Sequence, residues 1–281
     1  MIVTLTTDFG ARDGYVAAMK GAMLCVDPEV RMVDVSHEVP AQDVMEAAYV
    51  LRQVVPHYPA GTVHLVVVDP GVGTERRGIA AALATPHGEQ LFVGPDNGLL
   101  ALLSDEGSIL RVVELDRPEA WGRAVPSDTF HGRDVFGPVA TRLAMGATLG
   151  QVGTTVEAHT PMHWPLPRID EQGIDGMVLH VDGFGNCVTN VTADDLAGAD
   201  GRAFKCYAGS AMIKHHVRTY DETDAGDPVT LIGSAGYLEV AVNRGHASRL
   251  LSIERGDAVK LLFEAAPRPD PAPLALASGH L

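Results

Sequence analysis

The stretch VHLVVVDPGVGTERR, from Val63 to Arg77, decides the fold class of this chain. An apolar, β-branched run leads to Asp69, and a glycine-rich turn follows before two arginines. Such a run has the length and composition of a buried strand, so the carboxylate that ends it lies at the carboxyl edge of a sheet. Open α/β folds bind their ligands at that edge. The stretch therefore predicts an α/β sheet with a ligand pocket where this strand ends.

Two other strand-like runs end in the same way. TLTTDFG ends on Asp8, and LFVGPDNG ends on Asp96 and Asn97. A single aspartate in such a place is more often a turn or helix-capping residue than a ligand-binding one. Because three runs end alike, we expect their polar side chains to share one pocket.

The first 160 residues alternate strand-like and helix-like segments. Strands are predicted at Ile2–Thr6, Arg31–Val35, Val63–Val68, Ile79–Ala84, Gln90–Val93 and Ile109–Glu114. Helices are predicted at Gly14–Val26 (with Asp13 as N-cap), Gln42–His57, Gly98–Ser104 and Asp134–Met145. The alternation predicts an N-terminal α/β domain at 1–160, with a mostly parallel, Rossmann-like sheet and helices on both faces.

The character of the chain changes near Thr160. TPMHWPLPRID contains three prolines in seven residues, which predicts a linker at 161–169. Beyond it, short β-prone segments bounded by Gly, Asp and Asn predict a smaller, antiparallel, β-barrel-like domain at 170–265. The Pro- and Ala-rich residues 266–281 are predicted to form a loose tail.

Charge and composition exclude several classes of protein. A formal net charge of −15 argues against nucleic-acid binding, which needs clustered Lys and Arg. Without a run of eighteen apolar residues, we expect no membrane span, and the immediate entry into a strand predicts no secretory signal. The three cysteines Cys25, Cys187 and Cys206 form no CxxC pair and are predicted to be buried free thiols of a cytoplasmic protein.

Three residues of the first domain are candidates for chemistry. Arg76 follows Asp69 by seven residues, within reach across the DPGVGT turn, although a purely structural ion pair fits that spacing equally well. His131, in TFHGRDVF, lies at the start of a predicted helix, and histidine readily holds or relays a proton near neutral pH. The other histidines have no partner at metal-ligand spacing, so no metal site is predicted.

The second domain contains a motif suited to a nucleobase. In VDGFGN, the amide of Asn186 offers a donor and an acceptor side by side, the pattern that reads an adenine edge. Phe184 offers a ring for stacking, and Asp182 precedes both, although a simple Gly-Asn turn also explains the motif. The later segment GSAGYLEVAVNRG adds three further candidates: Ser234, Glu239 and the backbone around Val242.

Seven motifs in this order resemble those of the S-adenosyl-L-methionine (SAM) hydroxide adenosyltransferases, or SAM hydrolases, relatives of the fluorinase and chlorinase. They run through most of the chain: TDFG, MKG, DPGVGTERR, GPDNG, TFHGRD, DGFGN and YLEVAVNRG. The resemblance implies an α/β domain, a β-barrel-like domain and a homotrimer with SAM bound between neighbouring subunits. It also implies hydrolysis of SAM to adenosine and L-methionine, with SAM as substrate and no cofactor.

The resemblance also implies a role for each candidate residue. Asp69, Arg76 and His131 match the three residues that handle the attacking water. The remaining candidates match the substrate ligands: Asp8 at the ribose hydroxyls, Asp182 and Ser234 near the methionine amino and carboxylate groups, Asn186 at the adenine, and Glu239 and Val242 in the same pocket.

The chemistry of SAM hydrolysis suits this set of residues. A neutral thioether leaves from a sulfonium, so the leaving group needs no proton. Water is a weak nucleophile, and the cation of Arg76 would favour its hydroxide form while Asp69 and His131 orient it and accept its proton. No metal is needed for this step.

Three alternative functions remain at this point. The halogenase branch is disfavoured because Asp69 and His131 stand where halogenases differ, Val72 and Gly132 supply no fluorinase-like hydroxyls, and a carboxylate repels a halide. The second is a regulatory protein that binds SAM or adenosine with little turnover. The third is a metal-dependent phosphohydrolase that uses the aspartates at the strand ends.

Overall fold

The computed structural model describes residues 1–103, 108–198 and 202–264. The chain divides into two compact units between Trp164 and Pro165, within the predicted linker at 161–169. That stretch includes a short strand at Arg168–Ile169. The tail predicted at 266–281 lies outside the described residues.

Within its described residues, the first unit contains seven strands, five α-helices and three shorter helical turns. The strands are β1 (Ile2–Thr7), β2 (Arg31–Ser36), β3 (Val63–Val67), β4 (Gly78–Thr85), β5 (Gly88–Pro95), β6 (Ile109–Glu114) and β7 (Thr154–Thr155). The α-helices are α1 (Tyr15–Val26), α2 (Val44–Arg52), α3 (Leu99–Leu103), α4 (Gly137–Ala144) and α5 (Leu149–Val152). The shorter turns are the 3-10 helices Val55–His57 and Pro118–Ala120 and the π-helix Gly132–Phe136.

The seven strands form one sheet in the order β2-β1-β3-β5-β4-β6-β7. The pairings β2-β1, β1-β3 and β3-β5 are parallel, whereas β4, β6 and β7 pair in antiparallel fashion. Only two residues join β4 to β5, and a connection this short permits only an antiparallel pair. The predicted α/β class is confirmed, with the parallel half of the sheet on the side of β1 and β3.

Strand β3 shows why helices cover both faces of this sheet. All five of its residues are buried, as is Val68 after it. Because side chains alternate along a strand, Leu65 and Val67 lie in the core cluster with α1 and α4, and Val66 and Val68 in the cluster with α2 and α3. A strand buried on both sides is mostly apolar, here with His64 as its one polar residue, and the chain turns polar just beyond its end, at Asp69.

The second unit is an antiparallel sheet whose two ends approach each other. Its strands are β8 (Arg168–Ile169), β9 (Gly173–Val181), β10 (Cys187–Thr192), β11 (Phe204–Ala208), β12 (Ala211–Ile213), β13 (Pro228–Ile232), β14 (Tyr237–Val242) and β15 (Ala258–Phe263). The order is β12-β11-β15-β9-β10-β14-β13, with β8 beside β9, and the end strands β12 and β13 also contact each other. The described part of this unit also includes the helices α6 (Ala193–Ala197) and α7 (Ala247–Leu251) and a 3-10 turn at Tyr220–Glu222. The predicted β-barrel-like domain is confirmed.

Two predictions on helix α1 are wrong. Gly14, not Asp13, occupies the N-cap position, and no side chain of the described residues caps this helix. Cys25 is exposed, because the buried side chains of α1 are Met19 and Met23 and Cys25 lies off that face. The other two cysteines, on β10 and β11, are buried free thiols as predicted.

No helix among the described residues is both long enough and apolar enough to cross a bilayer.

Candidate active site

Asp69 and Arg76 meet across the turn that follows β3. Arg76 Nε donates a hydrogen bond to Asp69 Oδ1 at 3.0 Å, and Arg76 Nη2 donates a second to Asp69 Oδ2. The carboxylate is 5% exposed and the guanidinium side chain 9% exposed. Because two parallel hydrogen bonds fix both groups, this is a bidentate ion pair with a defined orientation.

The turn that carries this pair requires a glycine at one position. Gly73 has φ +75°, and a Cβ atom there would lie 2.3 Å from the carbonyl oxygen of Asp128. No other residue combines this backbone conformation with so close an approach. Gly73 therefore lets the turn pack against the segment that leads to His131.

His131 joins the pair through the same guanidinium. Arg76 Nη2 lies 3.2 Å from His131 Nδ1, and the edge of the imidazole faces the ring of Phe136. A guanidinium only donates, so Nδ1 accepts this bond and a neutral imidazole carries its proton on Nε2. The contact thus selects one tautomer and leaves an N–H group on the other side of the ring.

The surroundings raise the pKa of Asp69 and lower the pKa of His131. Burial raises the pKa of the Asp69 carboxyl, although Arg76 opposes this effect. Burial lowers the pKa of His131, and the nearby Arg76 cation lowers it further against the opposing pull of Asp69. At neutral pH His131 is therefore neutral, and Asp69 is a stronger base than an ordinary carboxylate.

His131 directly precedes the π-helical turn Gly132–Phe136, which continues into α4. Turns of this kind occur mostly as single insertions in helices and are frequent at functional sites. Within it, Asp134 accepts hydrogen bonds from Ser127 N at 2.9 Å and Ser127 Oγ at 2.8 Å. These bonds fix the loop before His131 and hence the position of the imidazole.

Asp8 lies at the same edge of the sheet. Thr7 is paired with Val67 in the register of β1 and β3, so Asp8 follows β1 beside the end of β3. Asp8 Oδ2 accepts a hydrogen bond from Gln42 N at 2.8 Å, and Gln42 has the unusual φ of 65°. Asp8 therefore holds a strained backbone position through one oxygen, which differs from the helix-capping role that a lone aspartate usually has.

The third strand end, in LFVGPDNG, follows β5, which pairs with β3 in parallel, and the shared pocket expected there stays a prediction. Asp96 accepts hydrogen bonds from Arg77 Nη2 at 2.5 Å and from Thr160 N at 2.7 Å. Asn97 donates to the carbonyl oxygen of Val68 at 2.9 Å. Both side chains therefore connect neighbouring segments at this end of the sheet.

The second unit contains a cavity of about 760 Å³ that includes every candidate of that domain. Residues from three separated segments converge on it: the turn after β9, the 3-10 turn at 220–222, and the β13–β14 region. The candidates that line it are Asp182, Phe184, Asn186, Ser234, Glu239 and Val242.

Asp182 organises the turn after β9. Its Oδ1 accepts hydrogen bonds from Phe184 N at 2.9 Å and Asn186 N at 2.8 Å, and its Oδ2 accepts one from Asn186 Nδ2 at 3.0 Å. The last of these bonds orients the Asn186 amide. Phe184 is 81% exposed, so a face of its ring is available for stacking.

Glu239 and Val242 present different groups to the cavity. Glu239 Oε2 accepts a hydrogen bond from the Tyr220 hydroxyl at 2.8 Å. The Val242 side chain packs in the core of the unit, and its carbonyl oxygen accepts a bond from Gly245 N at 2.9 Å. Sequence reasoning missed Tyr220, because no motif or spacing links it to Glu239.

The ionisable lining of this cavity is mostly acidic. Three carboxylates, of Asp182, Asp221 and Glu239, line it together with one guanidinium, that of Arg244. Such a lining favours a cationic ligand. Within the described ranges, no three His, Cys, Asp or Glu side chains are grouped so as to hold a metal ion.

Comparison with known proteins gives one consistent result. Residues 3–153 match the model of the SAM hydroxide adenosyltransferase N-terminal domain, and residues 176–260 match that of the C-terminal domain. The chain is 42% identical over 266 residues to an (R)-S-adenosyl-L-methionine hydrolase from Salinispora arenicola, covering 92% of this chain and 97% of that protein. A more distant relative is a fluorinase from an Actinoplanes species, 28% identical over 86% of this chain and 91% of that protein. A crystal structure of a conserved protein from Thermotoga maritima matches with a TM-score of 0.85 and 34% identity, covering 93% of this chain and all of that one.

Proposed function

This chain belongs to the SAM hydroxide adenosyltransferase family, and we propose that it hydrolyses SAM to adenosine and L-methionine. The observation that carries the proposal is the buried cluster in which Arg76 binds both Asp69 and His131. This cluster offers a base and a fixed N–H group at the ligand-binding edge of the sheet, which suits the activation of water.

The reaction is a displacement at the ribose C5′ carbon. A water oxygen forms a bond to C5′ while the bond from C5′ to the sulfonium sulfur breaks. The electron pair of the broken bond stays on sulfur, which leaves as the neutral thioether of methionine. One proton of the water must be removed, so the enzyme needs a base and no general acid.

Asp69 is the base in this proposal, because its pKa is raised and its oxygens keep lone pairs beyond those that Arg76 uses. His131 Nε2–H binds the water oxygen and directs it, since Nδ1 is already engaged by Arg76. Arg76 fixes both partners, and its charge favours the hydroxide form of the water. Holding the nucleophile in line with the C5′–S bond supplies a large part of the rate.

We assign each substrate-binding residue to the part of SAM that the family resemblance implies. We propose that Asp8 binds the ribose hydroxyls through the oxygen that does not hold Gln42. The second-unit cavity is proposed to bind adenine and methionine through the six candidates that line it. Its acidic lining suits SAM, which carries a sulfonium and an ammonium.

A halogenase reaction is less well supported by the geometry. Desolvation of a halide beside a buried carboxylate is unfavourable, and Asp69 is such a carboxylate. The same carboxylate assists water by accepting its proton. This contrast supports the hydrolytic branch over the halogenase branch of these related enzymes.

Further properties are proposed from the resemblance. We propose that the protein is a homotrimer with SAM bound between neighbouring subunits. We also propose that the two units correspond to the two domains of the family. The proposed reaction uses no metal or other cofactor. A cytoplasmic location is supported by three free cysteines, which is usual in a reducing compartment. Light scattering during gel filtration would test the trimer by giving the mass of three chains.

The decisive experiment follows the products of SAM incubated with the purified protein, with and without chloride and EDTA. Adenosine and methionine in equal amounts, formed over many turnovers and unaffected by either addition, are expected. Formation of 5′-chloro-5′-deoxyadenosine would assign the halogenase reaction. Loss of activity with EDTA would overturn the metal-free mechanism. Tight binding of SAM without turnover would support a regulatory role.

A further inference from the structure

Tyr220 and Glu239 form a hydrogen-bonded pair in the second-unit cavity, with the hydroxyl 2.8 Å from Glu239 Oε2. The carboxylate is 9% exposed, whereas the tyrosine is 39% exposed. No group of the described residues donates a hydrogen bond to the other oxygen, Oε1. One oxygen is therefore fixed by Tyr220, and the other keeps its capacity to accept a hydrogen bond.

Glu239 Oε1 occupies a space that is open only because residue 233 is a glycine. A Cβ atom at residue 233 would lie 1.8 Å from Oε1. Gly233 is itself a lining residue of the cavity. The missing side chain and the Tyr220 hydroxyl together define the orientation of the carboxylate.

The segment that carries Tyr220 is fastened independently of its hydroxyl. Asn243 Nδ2 donates to Thr223 O at 2.7 Å, and Gly226 N donates to Asn243 O at 2.8 Å. These bonds attach the segment to the residue that follows β14. Removing the hydroxyl alone therefore leaves the segment in place and frees only the carboxylate.

We infer that Tyr220 is a positioning residue of the substrate site, which holds Glu239 so that Oε1 accepts a hydrogen bond from an N–H group of the substrate. The inference rests on the proposed function. SAM offers two such donors, the exocyclic amine of adenine and the α-ammonium of its methionine part. A carboxylate held in one orientation binds either donor more tightly than a mobile one, because less rotational freedom is lost on binding.

The pair also predicts a dependence of binding on pH. Burial raises the pKa of Glu239, Asp182 raises it further, and the hydrogen bond from Tyr220 opposes both. The other charged groups that face the cavity are Asp221 and Arg244. The carboxylate is the binding form, so binding weakens as pH falls through this pKa. Without the hydroxyl the pKa is higher still, and the weakening begins at a higher pH.

The test compares Tyr220→Phe with the matched variant Tyr207→Phe, which removes a hydroxyl from the exposed Tyr207 on β11. In Tyr220→Phe we expect KM for SAM to rise by about five- to tenfold with kcat within about twofold of the parent protein, the size of one ordinary hydrogen bond. The rise of KM at acid pH should begin at a higher pH than in the parent. Glu239→Gln should raise KM and abolish that pH dependence.

The two possible donors are separated by titrating adenosine and L-methionine individually into each protein by calorimetry. Weaker binding of adenosine alone assigns Oε1 to the base, and weaker binding of methionine alone assigns it to the ammonium. An unchanged KM and an unchanged pH profile in Tyr220→Phe would overturn the inference, as would equal losses in Tyr207→Phe. Failure of the parent protein to turn over SAM would instead refute the proposed function.

Discussion

The Asp69–Arg76–His131 cluster and the second-unit cavity use charged groups in opposite ways. In the cluster, the carboxylate of Asp69 and the guanidinium of Arg76 are buried, and the guanidinium also bonds the half-buried imidazole of His131. In the cavity, carboxylates predominate, and among the described residues only Tyr220 donates a side-chain hydrogen bond to Glu239. The side chains of the cluster hold one another in place before the substrate arrives. The acidic cavity, in contrast, attracts a cationic ligand. The difference teaches that turnover should depend on the first region and substrate affinity on the second.

The largest effect is expected from Asp69→Asn, which tests the role of the cluster. An amide cannot accept a proton from water, so kcat should fall by about a thousandfold while KM changes little. Steady-state kinetics with SAM measure both constants. Asp96→Asn is the matched control, because it also removes the charge of a buried carboxylate that pairs with an arginine at a strand end.

Both variants should be less stable, by about 3–5 kcal/mol for the buried pair of Asp69 and by less for Asp96, whose partner Arg77 is partly exposed. Only Asp69→Asn should lose turnover. An equal loss of kcat in both would mean that destabilisation, not chemistry, explains the effect. An equal loss of kcat and of SAM affinity in Asp69→Asn would assign this carboxylate to the ligand.

A second prediction concerns pH and sharpens the role of His131. Its pKa is lowered by burial and by Arg76, so the neutral imidazole persists below the ordinary value of 6.5. Protonation removes the acceptor from Nδ1 and places a second cation beside Arg76. Turnover should therefore decrease about tenfold per pH unit as pH falls through this pKa.

The measurement is a profile of kcat against pH for the parent and His131→Ala. The variant should be slower at neutral pH, and its kcat should not show this decrease at acid pH. If kcat of His131→Ala decreases over the same acid range as in the parent protein, another group is responsible for the titration.

A third prediction tests the cavity through Asn186→Ala. This change removes the amide that Asp182 orients, so KM for SAM should rise by about tenfold with little change in kcat. Kinetics with SAM and calorimetry with adenosine measure the loss. A fall in kcat as large as in Asp69→Asn would break the division between the two regions.

The smallest effect is expected from Asp8→Ala, which removes the proposed ribose ligand of the first unit. Its loss should weaken SAM binding by about threefold, because water can replace part of its hydrogen bonding at a partly exposed site. Competition by adenosine and by 2′-deoxyadenosine measures whether the ribose hydroxyl is involved. If both compete equally in the parent protein, Asp8 does not read that hydroxyl.

Much of the fold followed from local patterns in the sequence. The run before Asp69 is apolar at every position but one because β3 is buried on both faces, and this made the strand and its end recognisable. The antiparallel strands were harder to foresee from composition. The signal that identifies them is the two-residue connection at 86–87, which is the length of a hairpin turn between β4 and β5.

The site was predictable where partners are close in sequence. The spacing of Asp69 and Arg76 indicated a contact, whereas no pattern in the sequence indicated the bond from Thr160 N to Asp96, which joins residues 64 positions apart. Tyr220 was missed for the same reason, because its bond to Glu239 spans nineteen residues of unrelated sequence. Long-range hydrogen bonds leave no periodic signal, so they require the folded backbone.

The π-helical turn Gly132–Phe136 has a consequence for how this chain can change over generations. One residue rotates a helix by about 100°, so the extra residue of a π-helical turn changes the direction of His131, at its start, relative to the faces of α4 that follow. His131 is directed to Arg76, while Val139 and Leu143 pack in the core. We therefore expect substitutions on the core face of α4 to leave the direction of the imidazole unchanged.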